Sequence, residues 1–154
     1  MSLRAIPLLI LAFIIYNAVV LLSSLPPDRV NEVFYGVSSL AADGKTIIRK
    51  GGELLTIPLP GGPVKFYFGD AMFIFGLILL AFEMIKSTYT TGFGLIDRLL
   101  SPLLFVLFLV EFLLVPKCAT SVFFFFTVMA GFDIIVGEVI GIKSARRDIN
   151  FGGN

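Results

Sequence analysis

The feature that most constrains this chain is a long apolar run near its C-terminal end, residues 119–142. At a helical rise of about 1.5 Å per residue it is long enough to cross a hydrocarbon core about 30 Å thick. Small or polar residues recur along one face of this run, at spacings of three and four: Ala130, Asp133, Gly137 and Gly141. Residues at such spacings share a helical face, and small ones let another helix approach closely. The run therefore predicts a transmembrane helix with a packing stripe.

Three further apolar runs precede this one, at residues 6–25, 67–85 and 98–115. The chain is 57% hydrophobic and only 15% charged over 154 residues, which is more apolar surface than one soluble core needs. Lipid must cover the excess. The loops after the second and third runs are short, so the last three helices are expected to be antiparallel neighbours. We expect an all-α membrane protein, a single domain of four transmembrane helices in an antiparallel bundle.

The first apolar run also has to be weighed as a signal peptide. It is longer than the usual apolar core of about 7–15 residues, and only Arg4 supplies basic charge before it. No A-x-A cleavage pattern precedes Pro26-Pro27. We therefore expect residues 6–25 to remain as the first membrane span.

Residues 26–66 differ in composition, since glycine, proline and charged residues concentrate there. The turn signals Asp43-Gly44 and Gly51-Gly52 separate segments with strand character. Strands are expected at residues 45–49, 53–59 and 64–68. This lobe is thus predicted to hold a β-hairpin or a three-stranded flap between the first two spans.

A short helix is predicted at the start of the lobe, at residues 31–42. Its apolar residues are spaced by about three and four, so they would lie against the membrane along one face. These residues are Val33, Phe34, Val37 and Leu40.

Orientation follows from the basic residues near the span ends, because these favour the cytoplasmic side. Six of them fall on one side: Arg4, Lys86, Arg98, Lys143, Arg146 and Arg147. Only Lys117 falls in the short turn on the opposite side. We expect a bacterial inner-membrane protein with both termini cytoplasmic, the tail 143–154 inside and the lobe 26–66 extracytoplasmic.

The composition excludes many functions. There is no histidine, which removes the commonest metal ligand and general base. The single cysteine, Cys118, permits no intrachain disulfide and no thiolate cluster. A net charge of +1 provides no basic footprint for nucleic acid. We expect no catalytic, cofactor or metal site, and no nucleic-acid partner.

Six acidic residues flank or enter the spans, and four of them have simple structural explanations. Asp70 stands at the start of the second run and Asp97 just before the third, where a carboxylate can satisfy free N–H groups. Glu83 stands three residues before Lys86, a spacing that predicts an ion pair at the membrane edge. Glu138 is similarly close to Lys143 and Arg146, which predicts a solvated pair.

The two remaining acids, together with Glu138 and one amide, form a candidate intramembrane polar site: Asn17, Glu111, Asp133 and Glu138. Acids at membrane depth are costly and often functional. Asp133 is the deepest, and its alternative explanation is a hydrogen bond between spans, with Asn17 as the expected partner. Glu111 is expected to reach Lys117, Thr120 or the lobe. The three acids are spread over roughly 25–30 Å by helical rise, which disfavours a compact metal site.

Five short segments carry a resemblance to known proteins: Phe82–Thr88, Ile96-Asp97, Val110–Leu113, Ala119–Ser121 and Ala145–Asp148. Over residues 82–148 the chain resembles small four-span inner-membrane proteins of alphaproteobacterial type, a group of unassigned function. The resemblance implies a location in the inner membrane rather than an activity, and it does not include the lobe.

Three functions remain open. The first is a non-enzymatic accessory or scaffold subunit that packs against a larger membrane complex or against itself through the stripe of Ala130, Asp133, Gly137 and Gly141. The alternative is a small proton- or cation-coupled channel or transporter that uses Asp133 with Glu111 and Glu138. An enzyme acting on lipid at the interface is the third, with only Cys118, Asp70 and Glu111 to supply its chemistry.

Overall fold

A computed structural model of the chain describes residues 6–40, 44, 47–89 and 95–151. Five α-helices dominate this part: α1 (Leu9–Leu22), α2 (Asn31–Tyr35), α3 (Phe68–Tyr89), α4 (Leu95–Leu114) and α5 (Ser121–Phe151). Four short strands lie between α2 and α3: β1 (Val37–Leu40), β2 (Ile47–Lys50), β3 (Glu53–Leu59) and β4 (Gly62–Tyr67). Two 3₁₀ turns, Pro27–Arg29 and Pro116–Cys118, complete the described elements.

Helices that are long and apolar enough to span a membrane are present in part of the predicted bundle. Two helical segments, Phe68–Ser87 and Ser121–Ile140, are long and apolar enough to cross a membrane. A third candidate is α1 together with residues Pro27–Tyr35, which are bent away from it by 117°. In α4 the apolar part, Leu99–Leu114, is shorter. The described part of the chain is thus a helical protein with two spans by length and composition, or three if the bent pair is one span.

The first helix is shorter than the predicted span 6–25. It contains 14 residues, and its C-cap, Ser23, is followed by Ser24 with a positive φ of 51°. Pro26 and Pro27 come next, and neither has an N–H to continue a helix. The chain therefore turns at this point and runs across the end of the bundle.

Helix α5 is the centre of the packing, since it contacts α3, α4 and α1. Phe123 and Phe126 on α5 are fully buried, together with Phe108 on α4. Phe13 of α1 meets Phe108 edge to face, with ring centroids 5.0 Å apart. Aromatic rings thus fill the space between the helices, which explains why a chain rich in phenylalanine packs without tryptophan.

The face that α3 presents to the bundle repeats at spacings of three and four. Its buried members are Gly69, Met72, Gly76, Leu79 and Glu83. A Cβ added at Gly76 would lie 2.6 Å from the Phe126 ring and 2.9 Å from the Met129 sulfur. The absence of a side chain at Gly76 therefore permits the close approach of α3 and α5.

The 3₁₀ turn Pro27–Arg29 and α2 form a lid over one end of the bundle, and we call this end the lobe end. Val30 and Phe34 are fully buried beneath the lid. The prediction of a helix over residues 31–42 was wrong over residues 36–40, and residues 41 and 42 lie outside the described residues. Gly36 has a φ of 71°, which a glycine adopts without strain and which ends the helix. Val37, half exposed, then begins β1 instead of lying on a helical face.

The lobe forms two separate hairpins rather than a three-stranded flap. Strands β1 and β2 pair antiparallel, and β3 and β4 form a second antiparallel pair. The predicted strand at 53–59 is confirmed, and those at 45–49 and 64–68 are shifted to β2 and β4. Residues 45 and 46 lie outside the described residues. Strand β4 continues into α3 without a connecting loop.

Candidate functional site

The polar side chains inside the bundle form two clusters, one at each end. The first lies at the end opposite the lobe, which we call the tail end, and it is centred on Glu83 of α3. This side chain accepts a hydrogen bond from the backbone N–H of Leu8, at the start of α1. It also pairs with Lys86, whose Nζ lies 2.6 Å from Glu83 Oε1. The same Nζ donates to the backbone oxygen of Ile6 at 2.9 Å.

The contacts in this cluster explain why two charged side chains, Glu83 and Lys86, lie there. Leu8 is the N-cap of α1, and its own side chain provides no hydrogen-bonding cap. A carboxylate at a helix N-terminus satisfies a free N–H and interacts favourably with the helix dipole. The predicted pair of Glu83 and Lys86 is confirmed, although Glu83 is buried rather than solvated. The pair attaches the start of α1 to the end of α3.

Asp133 of α5 belongs to the same end of the bundle. It is buried, and its carboxyl group shares a side-chain hydrogen bond with Ser101 of α4. Glu83 and Lys86 lie close enough to act on its charge. The partner is therefore a serine on α4, and the predicted bond to Asn17 was wrong. The tail-end cluster as a whole connects α1, α3, α4 and α5.

The second cluster lies at the lobe end, around Glu111 of α4. Asn17 Nδ2 of α1 donates to Glu111 Oε2 at 3.2 Å. The thiol of Cys118 donates to Glu111 Oε1 at 3.4 Å. Glu111 was expected to reach Lys117, Thr120 or the lobe, but its described contacts are Asn17 and Cys118. The Thr120 hydroxyl and the backbone oxygen of Lys117 lie against Tyr16 instead.

Tyr16 of α1 is fully buried beside this cluster. Its hydroxyl oxygen lies 2.6 Å from Thr120 Oγ1 and 3.4 Å from the backbone oxygen of Lys117. Its ring stacks on Phe34 with centroids 5.2 Å apart, and Phe34 stacks on Phe68 at 6.0 Å. Three nearly parallel rings therefore connect α1, the lid and the start of α3.

Cys118 is buried in the turn between α4 and α5. Burial raises the pKa of the thiol to about 12, and the charge of Glu111 and the hydrogen bond to it act in the same direction. The thiolate is the reactive form of cysteine. This thiol is consequently suited to packing and hydrogen bonding rather than to nucleophilic chemistry.

The predicted capping role is confirmed for Asp70. It occupies the third position of α3, and its Oδ2 accepts the backbone N–H of Tyr67 at 2.8 Å. This is the return half of a capping box. The surroundings of the Asp97 side chain lie outside the described residues.

The predicted packing stripe divides along its length. Ala130 and Asp133 are buried within the chain itself, between α5 and its neighbours. At Gly137 an added Cβ would find no described heavy atom within 4 Å. The environment of Gly141 falls outside the described residues. Within the described chain, the stripe is thus an internal contact at Ala130 and Asp133 and an open surface at Gly137.

The candidate polar site is likewise divided. Asn17 and Glu111 meet at the lobe end, whereas Asp133 belongs to the tail-end cluster. Glu138 is exposed on α5, and its predicted partners Lys143 and Arg146 have side chains outside the described part. The structure therefore brings one pair of these four residues together.

Three important residues were missed from the sequence. Gly76 was detectable, because it stands seven residues after Gly69 and hence on the same helical face. Tyr16 was not singled out, because a tyrosine within an apolar run does not indicate which helix it contacts. Ser101 had no signal of its own, since a serine in an apolar helix commonly bonds to its own backbone.

One open groove lies under the first hairpin at the lobe end. It has a volume of about 510 Å³ and a polar lining: Asn31, Glu32, Tyr35, Gly36, Ser38 and Ser121. Glu32 is paired with Arg29, so its carboxylate is already engaged. Among the described residues there is no group of three histidine, cysteine or acidic side chains that could hold a metal ion.

Comparison with known proteins yields no match to a family model, to a curated protein or to a solved structure.

Proposed function

We propose that this protein is a non-enzymatic integral membrane subunit, a scaffold or accessory component that packs against a larger membrane complex or against a second copy of itself. In this proposal the chain lies in a bacterial inner membrane with four spans and both termini in the cytoplasm. The two hairpins then face the extracytoplasmic side. The open part of the stripe, beginning at Gly137, contributes to the packing surface.

The observation that carries the proposal is the set of contacts made by the acids inside the bundle. Glu83 attaches α1 to α3, Asp133 meets Ser101 of α4, and Glu111 accepts from Asn17 of α1. In an apolar environment such contacts hold helices together, with coupling energies of about 0.6–1.7 kcal/mol each. Each of these acids thus has a structural role as a contact between helices. This supports a subunit whose function is structural.

The four-span arrangement is supported by the packing of the shorter helices. Helix α1, at 14 residues and about 1.5 Å per residue, is about 21 Å long. A bilayer accommodates a short helix by local thinning and by burying its flanking residues. Because α1 packs against α3 and α5 along the bundle, it shares their direction through the membrane in this proposal.

The alternative functions receive less support. A proton or cation path through Glu111, Asp133 and Glu138 requires those acids to communicate, yet Glu111 and Asp133 belong to opposite clusters. An enzyme acting on lipid requires an accessible nucleophile or acid. Cys118 is 1% exposed, and Asp70 is engaged at the start of α3.

The proposal is tested by extracting the protein from the membranes of its own host in a mild detergent, after chemical crosslinking. We expect recovery in a stoichiometric complex with a membrane partner or as a defined oligomer. Gly137→Leu should weaken that assembly. Ile135→Leu, a change at a neighbouring exposed position of α5, is the matched control.

A strict monomer with no partner under these conditions would contradict the proposal. Proton and cation flux in liposomes distinguishes the transporter: flux that is present in the wild type and lost in Asp133→Asn would replace the scaffold with that alternative.

A further inference from the structure

The second hairpin, β3–β4, has two chemically different faces. Residues paired across an antiparallel ladder point to the same side of the sheet. One face is apolar: the cross-strand pairs Leu55–Phe66 and Ile57–Val64 lie on it, and Leu59 follows two residues after Ile57. The opposite face carries the pair Thr56–Lys65. This amphipathic pattern is that of a sheet with one face in water and the other covered.

The polar face has its own network. Glu53 accepts hydrogen bonds from Thr56 and from Lys65, the latter at 2.9 Å. These bonds lower the pKa of the Glu53 carboxyl group. Charges of both signs are thus held on the side of the hairpin that water can solvate.

The apolar face is uncovered. The exposed fractions are 55% for Leu55, 38% for Ile57, 51% for Leu59 and 41% for Val64. Four aliphatic side chains about half exposed leave an apolar area on the order of 200–300 Å². A stable protein interface buries about 800 Å² on each partner, so this patch alone is too small for one.

Strand addition at the hairpin edges is also disfavoured. Pro58 and Pro63 are paired directly across the ladder, and neither has an N–H. Alternate pairs in an antiparallel ladder direct their N–H groups outward, and prolines are accommodated at those positions. Both outer edges therefore lack a donor near the tip. A partner strand would therefore find no N–H donor at this part of either edge, which disfavours strand addition.

The position of the hairpin turns its apolar face away from the rest of the molecule. Tyr67, at the end of β4, packs on Tyr35 of the lid with ring centroids 6.3 Å apart. Lys65 shares the face of Tyr67, whereas Val64 and Phe66 point the other way, because side chains alternate along a strand. The apolar face thus turns away from the lid that covers the bundle, toward the periphery.

In the placement proposed above, the hydrocarbon of the bilayer reaches this level of the molecule. Apolar residues at the lobe-end termini of α1 and α4 are highly exposed: Leu21, Leu22, Leu113 and Leu114, with fractions from 68% to 83%. Since β4 passes directly into α3, the base of the hairpin stands at the start of the candidate span Phe68–Ser87.

From this arrangement we infer that the β3–β4 hairpin lies on the membrane as an interfacial anchor, with Leu55, Ile57, Leu59 and Val64 in the acyl region of the extracytoplasmic leaflet. Glu53, Thr56 and Lys65 remain in the aqueous and headgroup layer. Amphipathic elements at this depth bind through buried apolar area without spanning the bilayer. The anchor would fix the lobe at the membrane surface.

The test uses the full chain with Cys118→Ala, reconstituted in lipid nanodiscs at one copy per disc. A nitroxide is attached at one cysteine, introduced by Ile57→Cys or, as the matched control, by Thr56→Cys. A second matched pair is Val64→Cys and Lys65→Cys. Relaxation by oxygen, which concentrates in lipid, is compared with relaxation by an aqueous nickel chelate.

We expect the ratio of oxygen to nickel accessibility to be several-fold higher at positions 57 and 64 than at positions 56 and 65. Ile57→Glu should lower the ratio at position 64 toward that of position 65.

Equal ratios on both faces would overturn the inference. Protection that appears only with two copies per disc would assign the face to a second copy, and protection only in native membranes would assign it to a protein partner. Each labelled chain must elute as one species, and the two pairs provide independent readouts.

Discussion

The carboxylate of Glu83, near the end of α3, accepts the backbone N–H of Leu8 at the start of α1. These residues are far apart in the chain, yet the contact replaces the N-cap side chain that α1 lacks. Lys86 neutralises the carboxylate and also bonds to Ile6. The tail end of the bundle is thus closed by an ion pair that serves as the cap of another helix.

Removing this acid should destabilise the protein more than removing an exposed one. Glu83→Ala removes the acceptor of the Leu8 N–H and the carboxylate that pairs with Lys86. Breaking a buried ion pair costs about 3–5 kcal/mol. Glu83→Gln retains an acceptor and should lose about 1–2 kcal/mol. The measurement is the free energy of unfolding in mixed micelles as the denaturing detergent increases. Glu138→Ala, at an exposed site, is the control and should change stability by less than about 0.5 kcal/mol.

Asp133 and Ser101 should be energetically coupled. Each single change, Asp133→Ala or Ser101→Ala, is expected to cost about 1–2 kcal/mol, and the double variant should cost about 1 kcal/mol less than their sum. Asp133→Asn keeps an oxygen that accepts a hydrogen bond, so it should stay within about 1 kcal/mol of the wild type. Strict additivity of the two alanine changes would show that the hydrogen bond contributes nothing to stability.

Gly76 and Gly137 should respond in opposite directions to the same substitution. Gly76→Ala puts a Cβ 2.6 Å from the Phe126 ring, and overpacking of this kind costs about 1–3 kcal/mol. Gly137→Ala meets open space and should stabilise α5 by up to about 1 kcal/mol through helix propensity. Thermal unfolding of the two variants in one detergent provides the comparison. A stable Gly76→Ala variant would mean that α3 and α5 do not pack as described.

Cys118 should react slowly with thiol reagents. Its pKa is raised from 9.0 to about 12 by burial and by Glu111, so the thiolate fraction at pH 8 falls roughly a thousandfold. Alkylation of the folded protein should therefore be slow at pH 8 and accelerate as the pH rises toward 12. Glu111→Gln removes the negative charge and should lower the pKa and increase the rate. Denatured protein is the control, and equal rates in both states would contradict this description of the thiol.

Local patterns predicted several elements correctly. The proline and glycine cluster between residues 59 and 64 marks a tight turn, and the alternating residues on either side form β3 and β4. Asp70 is three residues from its hydrogen-bonding partner Tyr67, so the capping contact depends on local geometry alone. The short separation of Glu83 and Lys86 likewise predicted their ion pair. In each case the interacting groups are neighbours along the chain.

The hydrogen-bonding partners of the acids inside the bundle could not be predicted from local patterns. Asn17 was assigned to Asp133 because both are polar residues within apolar runs, but Asn17 bonds to Glu111 and Asp133 to Ser101. The choice depends on the depth and rotation of each helix after packing. The face of α3 that includes Gly76 sets that packing through contact with Phe126 and Met129. Periodicity indicates which residues share a face, but not which neighbour that face meets.

By itself the sequence determined that the chain has more apolar surface than one soluble core needs, that its long apolar runs are helical, and that the segment before α3 forms strands. These properties follow from apolar content, periodicity and turn residues, which act over a few positions. Tertiary structure alone decided that Glu83 caps α1, that Tyr16 rather than Glu111 reaches Thr120, and that one face of the second hairpin stays uncovered. The reason is that hydrogen bonds and ring contacts between distant segments exist only once four helices have taken their depths and rotations around α5.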